Sequence, residues 1–276
     1  MKYIIDGHYD ILMDVAARRK KGERQVIRRR YYPAFQKGGV TGIVASIFVD
    51  SQYLPYGALS VAMEQISALH CEIEETPDLL MLCTSADDFL RAAETGKIGF
   101  LLSFEGAEPV SSCLLLHGFY AAGVRGLGLA WSRRNAAADG CDFSGSLKKG
   151  GLTEFGRELV KEAEDLHMIL DLSHLSDEGV EDVLSITSCP VIASHSNSRA
   201  VAGSNRNLTD CQMREIASRG GTVGLNGCSL LTAGPGVSPD QNGLTAHLDH
   251  MTEIMGEAHV AFGFYFCDSF FADDLS

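Results

Sequence analysis

Short apolar runs alternate along the chain with longer segments of helical spacing. Eight runs are predicted to be strands, at residues 3–5, 42–49, 99–104, 124–130, 168–172, 191–193, 222–225 and 259–264. Their apolarity is continuous rather than alternating, which is typical of strands covered on both faces in a parallel sheet. Between them, segments such as 154–163 place apolar residues three or four apart, as amphipathic helices do.

Eight strands that alternate with helices over about 250 residues predict an α/β fold of the TIM (β/α)8 barrel type. A doubly wound parallel sheet is the alternative, because the pattern alone does not separate the two folds. No linker rich in Pro, Gly or Ser divides the chain, so we expect residues 1–276 to form a single barrel domain. The chain stops soon after the eighth predicted strand, and we therefore expect the last helix to be lacking and the domain to be C-terminally incomplete.

Composition narrows the class of protein. The chain has 276 residues, of which 45% are hydrophobic and 21% charged, as in packed globular proteins. Its net charge of −13 argues against nucleic acid as a partner. No apolar stretch approaches the ~20 residues that span a bilayer, and no signal peptide begins the chain. We therefore expect no membrane partner, a cytoplasmic location and eight reduced cysteines, which lack CxxC spacing.

Polar residues follow the predicted strands at their carboxyl ends, where a parallel barrel carries its functional face. His8 and Asp10 follow the first strand, and Glu105 follows the third. His174 and His195 follow the fifth and the sixth. In an extended chain, positions i and i+2 point to the same side, so the first two residues can bind one cation together. The P-loop, HExxH and GxSxG motifs are absent, which leaves this set as the candidate chemistry.

Five ligands are more than one catalytic zinc takes from a protein, which is usually three. A shared Glu105 would resolve this by bridging two ions about 3.5–4 Å apart. His8 and Asp10 would then bind one ion, and His174 and His195 the other. Two metals with a bridging hydroxide provide a nucleophile at neutral pH, so the set predicts hydrolysis of an amide or an ester.

Several blocks of sequence occur in order over nearly the whole chain. They are DGHYD at 6–10, SFEGAEP at 103–109, GVRGLGLAW at 123–131, GLTEFGRELV at 151–160, DLSHLSD at 171–177, ASHSNSRA at 193–200 and RNLTD at 206–210. Together they resemble the zinc-dependent membrane dipeptidases, also called renal dipeptidases, whose bacterial members are soluble. The resemblance implies an amidohydrolase-like TIM barrel, two zinc ions, a dipeptide substrate and a homodimer.

The resemblance also implies roles for individual residues. It gives the same five metal ligands as the strand ends do, with Glu105 shared. Arg206 matches the arginine with which family members hold the terminal carboxylate of the substrate, and a guanidinium pairs bidentately with a carboxylate. Trp131 occupies the position of a substrate-binding histidine in animal members, so we expect it to shift the substrate preference.

One position departs from the family pattern. The eighth strand of the family ends in an aspartate, within GxDF, that helps to move a proton between the attacking water and the departing amine. Tyr265 stands at that position, and a phenol with an ordinary pKa of about 10 is a poor base at neutral pH. Asp268, three residues later, is the candidate substitute, although an odd offset in a strand directs it to the other face unless a bulge re-aims it.

The departure leaves three functions open. We expect the metal site to form and the dipeptidase activity to be impaired by Tyr265. One alternative is a catalytically inactive, metal-binding relative. The other is a two-metal hydrolase of another small amide or of a lactone, because barrel loops diversify readily.

Overall fold

The computed structural model describes residues 3–142 and 150–265, and these form one parallel sheet. Its strands are β1 (Ile5–Tyr9), β2 (Gly42–Phe48), β3 (Leu80–Leu82), β4 (Ile98–Glu105), β5 (Val124–Gly128), β6 (Ile169–Asp171), β7 (Ile192–Ala193), β8 (Thr222–Leu225) and β9 (Val260–Phe262). The strand order is β2-β1-β9-β8-β7-β6-β5-β4-β3, and a further pairing of β2 with β4 closes the sheet into a barrel of eight strands. The remaining strand, β3, pairs with the first half of β4, and β5 pairs with the second half.

Helices surround the barrel between the strands. They are α1 (Ile11–Lys20), α2 (Tyr32–Gly38), α3 (Ala58–Glu75), α4 (Ala86–Glu94), α5 (Cys113–Ala121), α6 (Glu154–Asp165), α7 (Asp177–Ile186), α8 (Asp210–Ser218), α9 (Ser229–Thr232) and α10 (Gln241–Met255). Hydroxyl groups cap α4 to α8, because each of these helices follows a Ser or Thr that accepts a backbone N–H of the first turn. Each cap marks the point where the loop after a strand ends and the next helix begins.

The predicted TIM barrel is confirmed, and each of the eight predicted strands overlaps one strand of the closed barrel. The first strand was placed too early, because Asp6 and His8 seemed to end it whereas both lie within β1. The three-residue β3 was missed. The expectation that the last helix is lacking falls on residues 266–276, which lie outside the described residues.

The described part of the chain bears on two features that we predict, namely the state of the cysteines and the membrane. The seven cysteines found there form no disulfide with one another, and their reduced state stays a prediction. Within residues 3–142 and 150–265, no helix is long and apolar enough to cross a membrane.

The barrel packs tightly around the backbone of Ser194, which directly follows β7. A Cβ atom added to Gly224 in β8, or to Gly263 after β9, would lie 1.9 Å from the Ser194 carbonyl oxygen. A Cβ atom on Gly7 in β1 would lie 3.2 Å from the same oxygen. Glycine is therefore required where these neighbours approach, and the backbone beside His195 is held in place.

We predict that Gly224→Ala lowers the free energy of unfolding by about 1–3 kcal/mol, because the new methyl group overlaps backbone that cannot move aside. Gly118→Ala in α5 is the control, since its Cβ would meet nothing within 4 Å. That change should instead stabilise the helix by roughly 0.5–1 kcal/mol. Urea unfolding of the two variants measures both effects, and equal stabilities would contradict the tight packing at β8.

Candidate active site

The five residues expected to bind metal converge at the carboxyl ends of four strands. The Nε2 atoms of His8, His174 and His195 lie 3.5, 2.9 and 3.3 Å from one oxygen, Oε1 of Glu105. Asp10 Oδ1 lies 3.4 Å from His8 Nε2. At most 10% of any of these side chains is exposed. The polar residues that the sequence places at the ends of the strands thus lie in contact with one another.

Local structure aims the first two of these side chains. The register of β1 against β2 shifts between Asp6 and Tyr9, so the strand is irregular where His8 lies. The Asp6 carboxylate accepts the backbone N–H of His8 at 3.1 Å and that of Phe264 at 3.2 Å, which ties β1 to the segment after β9. Asp10 precedes α1, and Ser46 Oγ of β2 donates to its carboxylate.

Two serines contact the far sides of the imidazole rings. Ser132 Oγ lies 2.8 Å from His174 Nδ1, and Ser194 Oγ lies 2.8 Å from His195 Nδ1. With each Nδ1 engaged, Nε2 is the atom that points at Glu105. Sequence reasoning missed both serines, although Ser194 directly precedes His195 within the ASHSN run and could have been found by asking what holds that ring.

Two atoms of the cluster are buried without a hydrogen-bond partner in the described structure. They are His8 Nε2 and Glu105 Oε1. Buried polar atoms almost always have such partners, so their arrangement fits a cation and not a hydrogen-bonded core histidine. The ligand atoms of His8, Glu105 and His195 all lie within 4.8 Å of one another. Imidazole nitrogen with carboxylate oxygen is a donor set that suits zinc and related metals.

The protonation of two of the three imidazoles also suits a metal. Burial raises the pKa of Glu105 well above its ordinary value, and the nearby Asp10 carboxylate acts in the same direction. Burial lowers the pKa of His174 and of His195 well below the usual range. Burial lowers the pKa of His8 too, but Glu105 and Asp10 outweigh it and raise the pKa to about 9. His174 and His195 are therefore neutral at pH 7, the form in which imidazole binds a metal.

A cavity of about 340 Å³ opens beside the cluster and is lined by both residues expected to bind substrate, Arg206 and Trp131. Arg206 is 6% exposed. Its Nη1 donates to Ser196 Oγ at 2.7 Å and its Nη2 to the His195 carbonyl at 2.8 Å, while Nε is buried with no hydrogen-bond partner in the described structure. A buried guanidinium with a spare donor suits the carboxylate of a ligand.

Trp131 also lines this cavity. Its ring lies 5.9 Å from the His174 ring and 4.9 Å from that of Phe48, measured between centroids. The Arg133 guanidinium covers the indole at 5.1 Å, and Glu108 holds that arginine with a contact of 2.9 Å. The indole is thus fixed in place beside the cluster.

Tyr265, which the resemblance places at the position of the family's aspartate, lies against the cluster. Its ring stacks on the His195 ring at 5.7 Å with an interplanar angle of 8°, and on the His8 ring at 5.8 Å. Its φ of 57° is left-handed, a conformation that Asp and Asn adopt more readily than Tyr. The candidate substitute Asp268 lies outside the described residues.

A closed parallel barrel with buried imidazoles and carboxylates at the carboxyl ends of its strands defines a metal-dependent hydrolase. Comparison with known families makes the class specific: the membrane dipeptidase model, peptidase family M19, matches residues 2–274. The chain belongs to this family and is a metallo-dipeptidase, as its sequence blocks predicted.

The chain is also similar to individual proteins. The chain is 34% identical over 229 residues to an uncharacterized protein in the pqqA 5′ region of Klebsiella pneumoniae, covering 80% of this chain and 84% of that protein. It is 31% identical over 216 residues to dipeptidase verJ of Clonostachys rogersoniana, covering 78% of this chain and 54% of that protein.

Solved structures of similar proteins share the fold. The dipeptidase AC, a metallo peptidase of family M19, superimposes with a TM-score of 0.87 at 30% identity, covering 95% of this chain and 84% of that one. A metallo peptidase from Rhodobacter sphaeroides, liganded with a phosphinate mimic of the dipeptide L-Ala-D-Ala, gives a TM-score of 0.86 at 29% identity, covering 95% and 85%.

The raised pKa of His8 predicts how the stability of chelator-treated protein depends on pH. The folded pKa of about 9 lies above the ordinary 6.5, so the stabilisation is complete below pH 6.5 and is lost as pH rises through 9. Over this range we expect the free energy of unfolding to fall by up to about 3 kcal/mol. Denaturant unfolding measures the fall, and His8→Gln should abolish it. An unchanged slope in that variant would assign the effect to another group.

Proposed function

We propose that the chain hydrolyses dipeptides with two zinc ions held by His8, Asp10, Glu105, His174 and His195. One observation carries the proposal: three imidazole Nε2 atoms surround a single buried carboxylate oxygen at 2.9–3.5 Å. Glu105 lies between the other ligands, which suits a bridging position. Zinc, when bound, supplies Lewis acidity that polarises the scissile carbonyl and activates water.

The remaining residues of the cavity orient the substrate. The Arg206 guanidinium binds the terminal carboxylate of the dipeptide, and its burial strengthens this ion pair because little water competes for it. Trp131, fixed between Phe48 and Arg133, forms a rigid apolar wall for a side chain of the substrate. A substrate held at its carboxylate and against this wall presents its peptide bond to the metal cluster.

Tyr265 weakens the last part of the reaction, in which a proton must reach the departing amine. Its ring covers His8 and His195 at the position where the family has a carboxylate. A phenol with an ordinary pKa near 10 exchanges protons poorly at neutral pH. We therefore propose an intact metal site with slow turnover.

Purified protein reconstituted with zinc should contain two zinc ions per chain and hydrolyse L-Ala-D-Ala, the dipeptide whose mimic is bound by the Rhodobacter sphaeroides relative. Glu105→Gln should lose both zinc and activity. Arg206→Ala should keep its zinc and raise KM, because only the carboxylate contact is removed. Two zinc ions with no turnover of dipeptides would support the inactive relative, and turnover of a β-lactam instead would support the other hydrolase. Protein that binds no zinc would contradict the metal site.

Replacing Tyr265 tests the proposed impairment. Tyr265→Asp should raise kcat, and a positioned acid or base typically contributes 10²–10⁴-fold. Tyr265→Asn is the matched control, because Asn accepts the same left-handed backbone but carries no titratable group. Steady-state kinetics with saturating zinc separates them: a rise in both variants would point to removal of a bulky ring. Equal rates for wild type and Tyr265→Asp would mean that the phenol does not limit turnover.

The single-domain organisation, the homodimer and the cytoplasmic location stay predictions. The first would give one cooperative unfolding transition. Sedimentation equilibrium would distinguish a dimer from a monomer.

A further inference from the structure

We propose that Asp171 and Ser194 are positioning residues that fix the proton of His195 on Nδ1 and so leave Nε2 free to bind metal. This inference rests on the proposed metal site but concerns residues beyond its ligands. The three residues come from the ends of two neighbouring strands: Asp171 is the last residue of β6, and Ser194 and His195 follow β7. We call them the β6–β7 relay.

The relay is a continuous chain of hydrogen bonds. Ser194 Oγ lies 2.5 Å from Asp171 Oδ2 and 2.8 Å from His195 Nδ1. The other oxygen of Asp171, Oδ1, accepts the backbone N–H groups of Ser173 at 2.9 Å and of Ser194 at 3.0 Å. Asp171 therefore accepts at both oxygens, and the hydroxyl group of Ser194 is the link between this carboxylate and the ring.

Counting protons fixes the direction of each bond. A serine hydroxyl has one proton to donate, whereas a carboxylate can only accept. Ser194 must therefore donate to Asp171, and it has only lone pairs left for His195. The ring must then supply the proton of the second bond, which places it on Nδ1. The lone pair of the ring is consequently on Nε2, the atom 3.3 Å from Glu105 Oε1.

The surrounding packing keeps this arrangement rigid. Asp171 is 6% exposed and Ser194 5%. The Ser194 carbonyl lies where Gly224 and Gly263 have no room for a Cβ atom, so the backbone of the serine cannot shift. Such support orients metal-bound histidines and fixes their tautomer.

His174 contacts His195 through the two Nε2 atoms at 2.9 Å, but it has a different neighbour at Nδ1 and so supplies a comparison. Its Nδ1 contacts Ser132 Oγ at 2.8 Å, and that hydroxyl group lies 3.5 Å from Cys141 Sγ. A thiol is a weak donor and a weak acceptor, so this contact does not impose a direction on the serine as a carboxylate does. The asymmetry between the two serines predicts different responses to mutation.

Asp171→Asn reverses the relay while preserving its shape. The amide oxygen can still accept the two backbone N–H groups, and the NH2 group then faces Ser194 and donates to it. Ser194 must in turn donate to His195 Nδ1, which moves the ring proton to Nε2, towards the metal. An asparagine in place of an aspartate beside a histidine favours the wrong tautomer in this way. Ser194→Ala removes the link without reversing it.

Zinc affinity and the histidine tautomer are the two measurements. Competition with a chelator should give a loss of about 10–100-fold for Ser194→Ala, and at least as large a loss for Asp171→Asn. Nitrogen-15 NMR of the metal-free protein should place the His195 proton on Nδ1 in the wild type and on Nε2 in Asp171→Asn. A purely structural role for Asp171 would leave the tautomer unchanged.

A double-mutant cycle separates the relay from general destabilisation. Asp171→Asn should add little to the loss of affinity in a Ser194→Ala background, because the reversed donor no longer reaches the ring. In a Ser132→Ala background its full effect should remain, since that serine serves the other histidine. Additive losses in both backgrounds would overturn the proposal.

The outcomes also separate this inference from the proposed function. If the wild type binds zinc and neither Ser194→Ala nor Asp171→Asn weakens it, the relay is wrong and the metal site stands. If the wild type binds no zinc, the proposed function fails, and the tautomer of the metal-free protein still tests the relay. Should Asp171→Asn fail to fold, Ser194→Ala gives the affinity, and the wild-type spectrum alone shows which nitrogen carries the proton.

Discussion

The burial of the Glu105 carboxylate is the constraint on which the site depends. An ionised carboxylate removed from water costs several kcal/mol unless it is paired or bound to a metal. Around this group the barrel places three imidazole rings whose Nε2 atoms face it, and a second carboxylate, Asp10, that further opposes its ionisation. Protonation can relieve the repulsion in part, with His8 taking a proton at a pKa raised to about 9. A cation at the proposed site would relieve it and would hold the surrounding groups in their metal-binding form.

This constraint explains why so much of the surrounding structure serves to hold side chains still. A cluster whose members repel one another would relax by rotating outwards if its supports were soft. The Asp6 carboxylate ties β1 to the segment after β9, and glycines in neighbouring strands enclose the backbone of Ser194. The carboxyl ends of the strands are therefore rigid. The loops beyond them do not carry these contacts, so their sequences can vary between proteins of the same fold. The strand ends hold the cluster in a fixed geometry, and the loops beyond them can vary to suit different substrates.

The sequence was sufficient to predict the barrel and the convergence of four residues around Glu105. Buried parallel strands leave continuous apolar runs, and polar residues mark where these runs end. The same rule misplaced the first strand, since Asp6 and His8 are polar residues inside it. Ser194 and Asp171 were missed as positioning residues because a lone serine or aspartate has no periodicity. Their significance lies in a contact across 23 positions of the chain that only the fold creates.

In the proposed function, Tyr265 separates the retention of a metal from the turnover of substrate. Its aromatic ring stacks on two imidazoles of the cluster, those of His8 and His195. The proposed hydrolysis would instead need a small group at this position that exchanges a proton with the departing amine. The left-handed backbone at this position disfavours tyrosine by roughly 1–2 kcal/mol, so the local conformation does not explain why a tyrosine is found here. The ring contacts His8 and His195, and we propose that it occupies the space through which a proton would reach the departing amine.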